Sequence, residues 1–226
     1  HDRSPKADGN WLQPACEYMH YLPAVDEQHL DRCAVWTEND EIAGVAHYEL
    51  ALGEAFFQVA PGSEALKPRM LDYAESEMRA TEDDGTEYLA AYCGDRDRAF
   101  AAELASRGYT REPRGDRPLT MIGLDRPLSY ELPGDFRVRS LADENDLAKV
   151  DRCLWRGFDH EGEPDGDLEG RRVMQSGPSF RHDLTIVVVE PGGNYVALSG
   201  AWHDRANGFA YIEPVATDPD YRRMGL

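Results

Sequence analysis

Apolar positions fall into short β-branched or alternating runs cut by turn residues, and these runs occur in two similar series. Residues 182–216 read as three strands. The run Leu184–Glu190 closes on Pro191-Gly192-Gly193, a strong turn signal. Tyr195–His203 forms the second strand, ended by residues 204–208, and Gly208–Ala216 forms the third. An earlier series has the same order. Cys33–Trp36 closes on Glu38–Glu41, Ile42–Leu50 follows, Gly53 marks a turn, and Ala55–Ala60 is the third strand. Gly44–His47 aligns with Gly200–His203, and Gly53–Pro61 aligns loosely with Gly208–Pro219. The offset of 156 residues is a domain period, so the pattern predicts a duplicated domain.

Helical spacing then takes over. Leu66, Met70, Leu71, Ala74 and Met78 form one apolar stripe. A strand is expected over Glu87–Cys93. A helix over Arg96–Arg107 turns Phe100 and Leu104 inward and stops at Gly108. A last strand is expected over Thr120–Leu124. Residues 127–135, with Pro127, Pro133 and Gly134, read as a linker. The second series opens with a strand at Phe136–Arg139. Ser140-x-x-Asp143 then resembles a capping box, leading to a helix with the stripe Leu147, Val150, Leu154 and Phe158.

Composition narrows the chemistry. The 226 residues include 43 acidic and 24 basic side chains, a formal charge of −19. Phosphate polyanions and anionic membranes are repelled by such a chain, so nucleic acid and membrane are not expected partners. A hydrophobic content of 41% fits a globular protein, and no apolar run approaches the length of a membrane span. Cys16, Cys33, Cys93 and Cys153 are widely separated, without metal-ligand spacing, so free thiols in a reducing cytoplasm are expected and no metal site. The acidic, Gly-containing segment 159–169 reads as a loop, and Trp202 as core. Trp11, Tyr18, Met19 and Tyr21 read as an aromatic cluster in a core or domain contact. No nucleophile elbow, Walker loop or Gly-x-Gly-x-x-Gly is present, which removes hydrolase and nucleotidase readings.

The chemistry concentrates in Tyr211–Leu226. Pro214 cannot donate to a ladder, so it marks an edge or a bulge, where backbone groups become free for a ligand. Asp218-Pro219-Asp220 reads as a turn, followed by a helix expected to begin near Arg222. Helix N-terminal amides suit phosphate, and Gly225 lets a diphosphate approach the backbone. Arg222 and Arg223 add positive charge. The same residues also fit a plain strand, turn and helix with surface arginines.

This segment resembles motif A of the GNAT superfamily, the acetyl-CoA-dependent N-acetyltransferases, whose signature is Arg/Gln-x-x-Gly-x-Gly/Ala after a splayed strand. Arg222-Arg223-Met224-Gly225-Leu226 matches the first five positions. The strand and helix order behind it covers residues 136–226, and residues 30–126 look like a second, weaker copy. The resemblance implies an α/β fold (α+β, mixed sheet) of two tandem GNAT-like domains. These are a degenerate one over 1–126, lacking a first strand, and one over 136–226 that is incomplete. Measured against each other as domain-scale copies, the two lack roughly 20 residues at the start and about 60 at the end.

The resemblance also implies roles. Val215 and Thr217 offer main-chain groups to the pantetheine arm of acetyl-CoA. Arg222 heads the loop whose amides at Arg223, Met224, Gly225 and Leu226 hold the pyrophosphate. Glu213 serves as general base, in some relatives through water, for direct transfer to a primary amine of a small molecule or peptide. Alternation along the strand places Glu213 on the face of Tyr211 and Val215. The first copy departs from the pattern. Gly62–Pro68 has no Arg-x-x-Gly-x-Gly, and counting back from the aligned prolines puts Ala55 opposite Glu213, so cofactor binding is not expected there. A non-catalytic acyl-CoA-binding or scaffold protein stands as the other reading. Exposed sheet edges favour self-association as a homodimer.

Overall fold

The computed structural model describes residues 12–22, 24–117, 120–125, 129–205 and 207–226. They form two compact units of mixed α and β structure. One is built on Ala24–Ile122, and the other on Gly123–Leu226 together with helix α1 (Gln13–His20). The segment that reads as an aromatic cluster thus contributes Tyr18 and Met19 to the second unit, while Trp11 lies outside the described residues. No helix among the described residues is long and apolar enough to cross a membrane.

In the first unit, β1 (Ala34–Glu38), β2 (Glu41–His47) and β3 (Glu54–Val59) form an antiparallel meander. Helix α2 (Lys67–Glu77) returns the chain, a short hairpin of β4 (Ala80–Thr81) and β5 (Glu87–Tyr88) follows, and β6 (Ala90–Ala91) pairs parallel to β3. Helix α3 (Arg98–Ser106) completes the unit. The expected stripe is the core: Met70, Leu71, Ala74 and Met78 are fully buried with Phe57, Phe100 and Leu104. Burying each large side chain contributes about 2 kcal/mol.

Two expectations fail in this unit. Residues 87–93 are two short pieces rather than one strand, because β5 pairs with β4 and β6 with β3. Residues 120–124 form no strand. No neighbouring strand offers a ladder among the described residues, and Met121, Ile122 and Leu124 are exposed.

In the second unit, β7 (Arg137–Ser140) precedes α4 (Leu147–Gly157) and α5 (Glu169–Gln175), and then β8 (Ile186–Val189), β9 (Tyr195–Asp204) and β10 (Phe209–Thr217) follow. The sheet is antiparallel in the order β10-β9-β8-β7, so β10 is an edge. Val150, Cys153, Leu154 and Met174 of the helices pack on Val187, Val189, Leu198 and Ala216 of one sheet face. Asp151 on α4 accepts from Arg171 on α5 at 2.8 Å, which ties the helices together. The other face carries Val188, Val196 and Ala197, covered by Leu132, Phe136, Tyr221 and Leu226.

The box at Ser140 and Asp143 forms its reciprocal bonds, but they close a turn; Asp146 caps α4 by accepting from the Ala148 and Lys149 amides. Phe158 falls at the helix end and is exposed, so the apolar stripe stops at Leu154. Residues 159–168 form the loop read from composition, and all four cysteines are free thiols.

Candidate functional site

The site grows from one irregularity in β10. Tyr211 stands opposite Trp202 and Ile212 opposite Ala201, but Val215 stands opposite Ser199 and Thr217 opposite Ala197. Glu213 and Pro214 therefore share the single position Gly200, which is a β-bulge. Proline fits there because it has no amide to donate. Glycine is required across from it. A Cβ on Gly200 would lie 2.6 Å from the Glu213 carbonyl oxygen and 3.1 Å from Pro214 Cδ. Trp202, fully buried, donates its indole N–H to that same carbonyl at 3.0 Å, so a core residue also fixes the bulge.

The bulge corrects the expected faces. Residues paired across a ladder project to the same side, so Val215 shares its side with Ile212 and Thr217 rather than with Tyr211. The extra residue reverses the alternation. Glu213 stays with Tyr211 on the helix-covered face, while Val215 is exposed on the other.

The first copy lacks this feature. Gly44 pairs in regular register with Val59. His47 pairs with Phe56, whereas His203 pairs with Ala210, so the first copy's connection is two residues longer. Val59, not Ala55, is thus the register counterpart of Glu213. Beyond β3 the Glu64 carboxylate accepts the Gly62 amide at 3.1 Å, and that bond holds its pKa below the ordinary value. Lys67, buried at the start of α2, donates to Asp97 at 2.5 Å. The turn in this copy is filled by its own charges.

The turn after β10 is rigid. Asp218 is 1% exposed, accepts from Arg156 Nε at 2.5 Å and Nη2 at 3.0 Å, and receives the Asp220 amide at 3.0 Å. Burial alone pushes its carboxyl up, but the Arg156 bonds and the amide outweigh it and hold the pKa below the ordinary value.

The helix expected near Arg222 is absent. Pro219–Tyr221 is a single 3-10 turn, Arg222 is extended, and Arg223 and Gly225 have φ of 65° and 77°, which no α-helix admits. Arg222 instead donates to the carbonyls of Thr217 (3.2 Å) and Gly157 (2.9 Å) and pairs with Asp159 (2.9 Å). Through these contacts it joins the end of β10 to the end of α4. Gly225 accepts a hydrogen bond from the Tyr130 hydroxyl, and Leu226 rests on Val188, Val196 and Ala197. Met224 and Arg223 are exposed, and no carboxylate pairs with Arg223 among the described residues. The structure thus brings Val215, Thr217 and Leu226 to one side of the sheet, ties Arg222 to the end of α4, and leaves Glu213 on the helix-covered side.

Glu213 is half-buried, and burial pushes its pKa above the ordinary carboxylate value. No hydrogen bond or ion pair holds its carboxylate among the described residues. Tyr18, from α1, packs edge-on against Trp202 with ring centroids 5.6 Å apart. Its phenol pKa is raised, first by burial and then by the charge of Glu213. Tyr18 packs on the second unit's core, in line with the core or domain contact expected of its cluster; its nearness to Glu213 was not legible, because nothing local to residues 13–20 points to a strand nearly 200 residues later. The Asp218–Arg156 pair was missed for the same reason, although the turn sequence itself marks Asp218 as a cap.

No protein-family model matches the chain, and a search of curated proteins finds no match.

Proposed function

We propose that this chain is an acetyl-CoA-dependent N-acetyltransferase of tandem GNAT-like architecture, acting in the cytoplasm on a primary amine of a small molecule or peptide. The observation that carries this reading is the bulge at Glu213–Pro214 in an edge strand, with a desolvated carboxylate on one side and an exposed Arg/Gly loop on the other. Edge strand β10 has a side that pairs with no strand among the described residues. Main-chain groups of Val215 and Thr217 there suit an extended amide-bearing arm, and the loop led by Arg222, with Arg223 exposed, suits a diphosphate. Bound acetyl-CoA would supply the acetyl thioester.

Glu213 does the chain's share of the chemistry. An ammonium must lose a proton before its nitrogen can attack the thioester carbonyl, and a carboxylate with a raised pKa and no cationic partner is a suitable acceptor. The attacking nitrogen forms the amide bond as the carbon–sulfur bond breaks. The thiolate leaves and takes up the second proton shed by the nitrogen, and the proton taken by Glu213 returns to solvent. Holding amine and thioester together supplies much of the remaining rate. The first unit, with Val59 in register with Glu213 and its turn closed by Glu64 and Lys67, serves a structural role.

The second reading, a non-catalytic acyl-CoA binder, draws on Arg222 being committed to the chain's own carbonyls. The deciding experiment uses the complete gene product. Acetyl-CoA is titrated by calorimetry, and thiol release is followed with a panel of primary amines for wild type and Glu213→Gln. Saturable binding with amine-dependent release, lost in the variant, supports the enzyme. Binding without turnover across the panel favours the binder, and absence of binding removes both.

A further inference from the structure

On the helix-covered face of β10, two polar residues far apart in the sequence both engage Trp202. Tyr18 sits on α1, and Glu213 sits at the bulge. Tyr18 packs against the Trp202 ring, and the indole N–H holds the Glu213 carbonyl. Phe180 meets the same indole edge-on at 5.6 Å, and the Glu17 carboxylate accepts the Ser179 amide at 2.5 Å, so α1 is anchored at this position. Neither the Tyr18 hydroxyl nor the Glu213 carboxylate has a hydrogen-bond partner among the described residues. Both side chains are half-buried, so their polar atoms are open to solvent and to a ligand that enters from it.

The chemistry of the pair limits that ligand. A carboxylate only accepts, and a phenol both accepts and presents an electron-rich ring face. Besides Glu213, the charged group near Tyr18 is Arg171, already held by Asp151, and the neutral Tyr211 hydroxyl lies near it as well. A ligand with several N–H donors and a positive charge, a primary ammonium, satisfies both groups at once and balances the carboxylate's charge. A neutral donor leaves that charge unbalanced, and an anionic group is repelled.

We propose that α1 forms a wall of the acceptor site and that Tyr18 is its amine-recognition residue, its hydroxyl accepting one ammonium N–H while Glu213 accepts another. This rests on the acetyltransferase reading and adds to it the element that selects the acceptor. The residue comes from the segment ahead of the first unit, so two segments far apart in the sequence build one site.

The test is calorimetric titration of the complete gene product with benzylamine and butane-1,4-diamine at neutral pH, with acetyl-CoA titrated in parallel. Tyr18→Phe keeps the ring against Trp202 and removes only the hydroxyl; its thermal unfolding is compared with wild type to establish an intact fold. The expected result is roughly tenfold weaker amine binding, the loss that follows one hydrogen bond to a charged group, with acetyl-CoA binding unchanged. A second variant, Glu213→Gln, weakens the amine at least as much. Amine affinity unchanged in Tyr18→Phe, or no amine bound by wild type, overturns the inference even where acetyl-CoA binds. Loss of acetyl-CoA binding or thiol release in wild type overturns the acetyltransferase reading instead.

Discussion

Two glycines that align by sequence, Gly44 and Gly200, respond differently to one added methyl group. At Gly200 the new Cβ meets backbone, the Glu213 carbonyl oxygen at 2.6 Å and its carbon at 3.2 Å, plus Pro214 Cδ at 3.1 Å. Those atoms are fixed by the bulge and by the Trp202 indole, so they cannot retreat without opening the ladder. At Gly44 the nearest atoms are Met70 Sδ at 3.1 Å and Cε at 3.3 Å, the far end of a flexible side chain, with the Gln58 carbonyl at 3.4 Å. Overpacking of a rigid site costs about 2 kcal/mol, and a methionine that changes rotamer reduces this below about 1 kcal/mol. Gly200→Ala therefore lowers the melting temperature of the second unit by roughly 8 °C, and Gly44→Ala shifts that of the first by no more than about 4 °C. Urea unfolding followed by tryptophan fluorescence separates the units, since Trp36 lies in the first and Trp155 and Trp202 in the second. Gly200→Ala is also expected to weaken acetyl-CoA binding, because it displaces the bulge. Equal destabilisation by the two variants, or a larger effect at Gly44, would refute the account of the bulge.

Other consequences follow from single groups. Removing the Asp218 carboxylate as Asp218→Asn leaves Arg156 without its buried partner and costs about 3 kcal/mol at pH 7. Because the Asp218 pKa is depressed in the fold, this stabilisation is complete above its unfolded value and fades as pH falls through the folded one. The urea-unfolding midpoints of wild type and variant should therefore stay apart down to about pH 4 and begin to converge only as the pH falls further. Glu213 has the opposite sign. Its raised pKa makes the charged form unfavourable in the fold, so Glu213→Gln raises stability at neutral pH, and the gain fades on acidification. The same variant lowers the acetyl-transfer rate by ~100-fold in thiol release. In the first unit Asp97→Ala removes both the cap on the Phe100 amide and the partner of buried Lys67, costing about 3 kcal/mol in denaturant unfolding, whereas Asp97→Asn keeps the cap and costs less.

Local pattern determined much of this protein. Turn residues at Pro191–Gly193 and Gly53 bounded the strands, and the spacing of Met70, Leu71, Ala74 and Met78 set the buried face of α2, because 3.6-residue and two-residue periods are properties of short segments. Pro214 announced a break in the ladder without its neighbours being known. The tertiary structure alone decided which residues the break brings together. The bulge reversed the alternation and parted Val215 from Glu213, a loop two residues longer moved the counterpart of Glu213 to Val59, and packing carried Tyr18 to a strand far along the chain. Register and long-range contact depend on how whole elements pair, and one inserted residue in a two-residue period changes the face of everything after it.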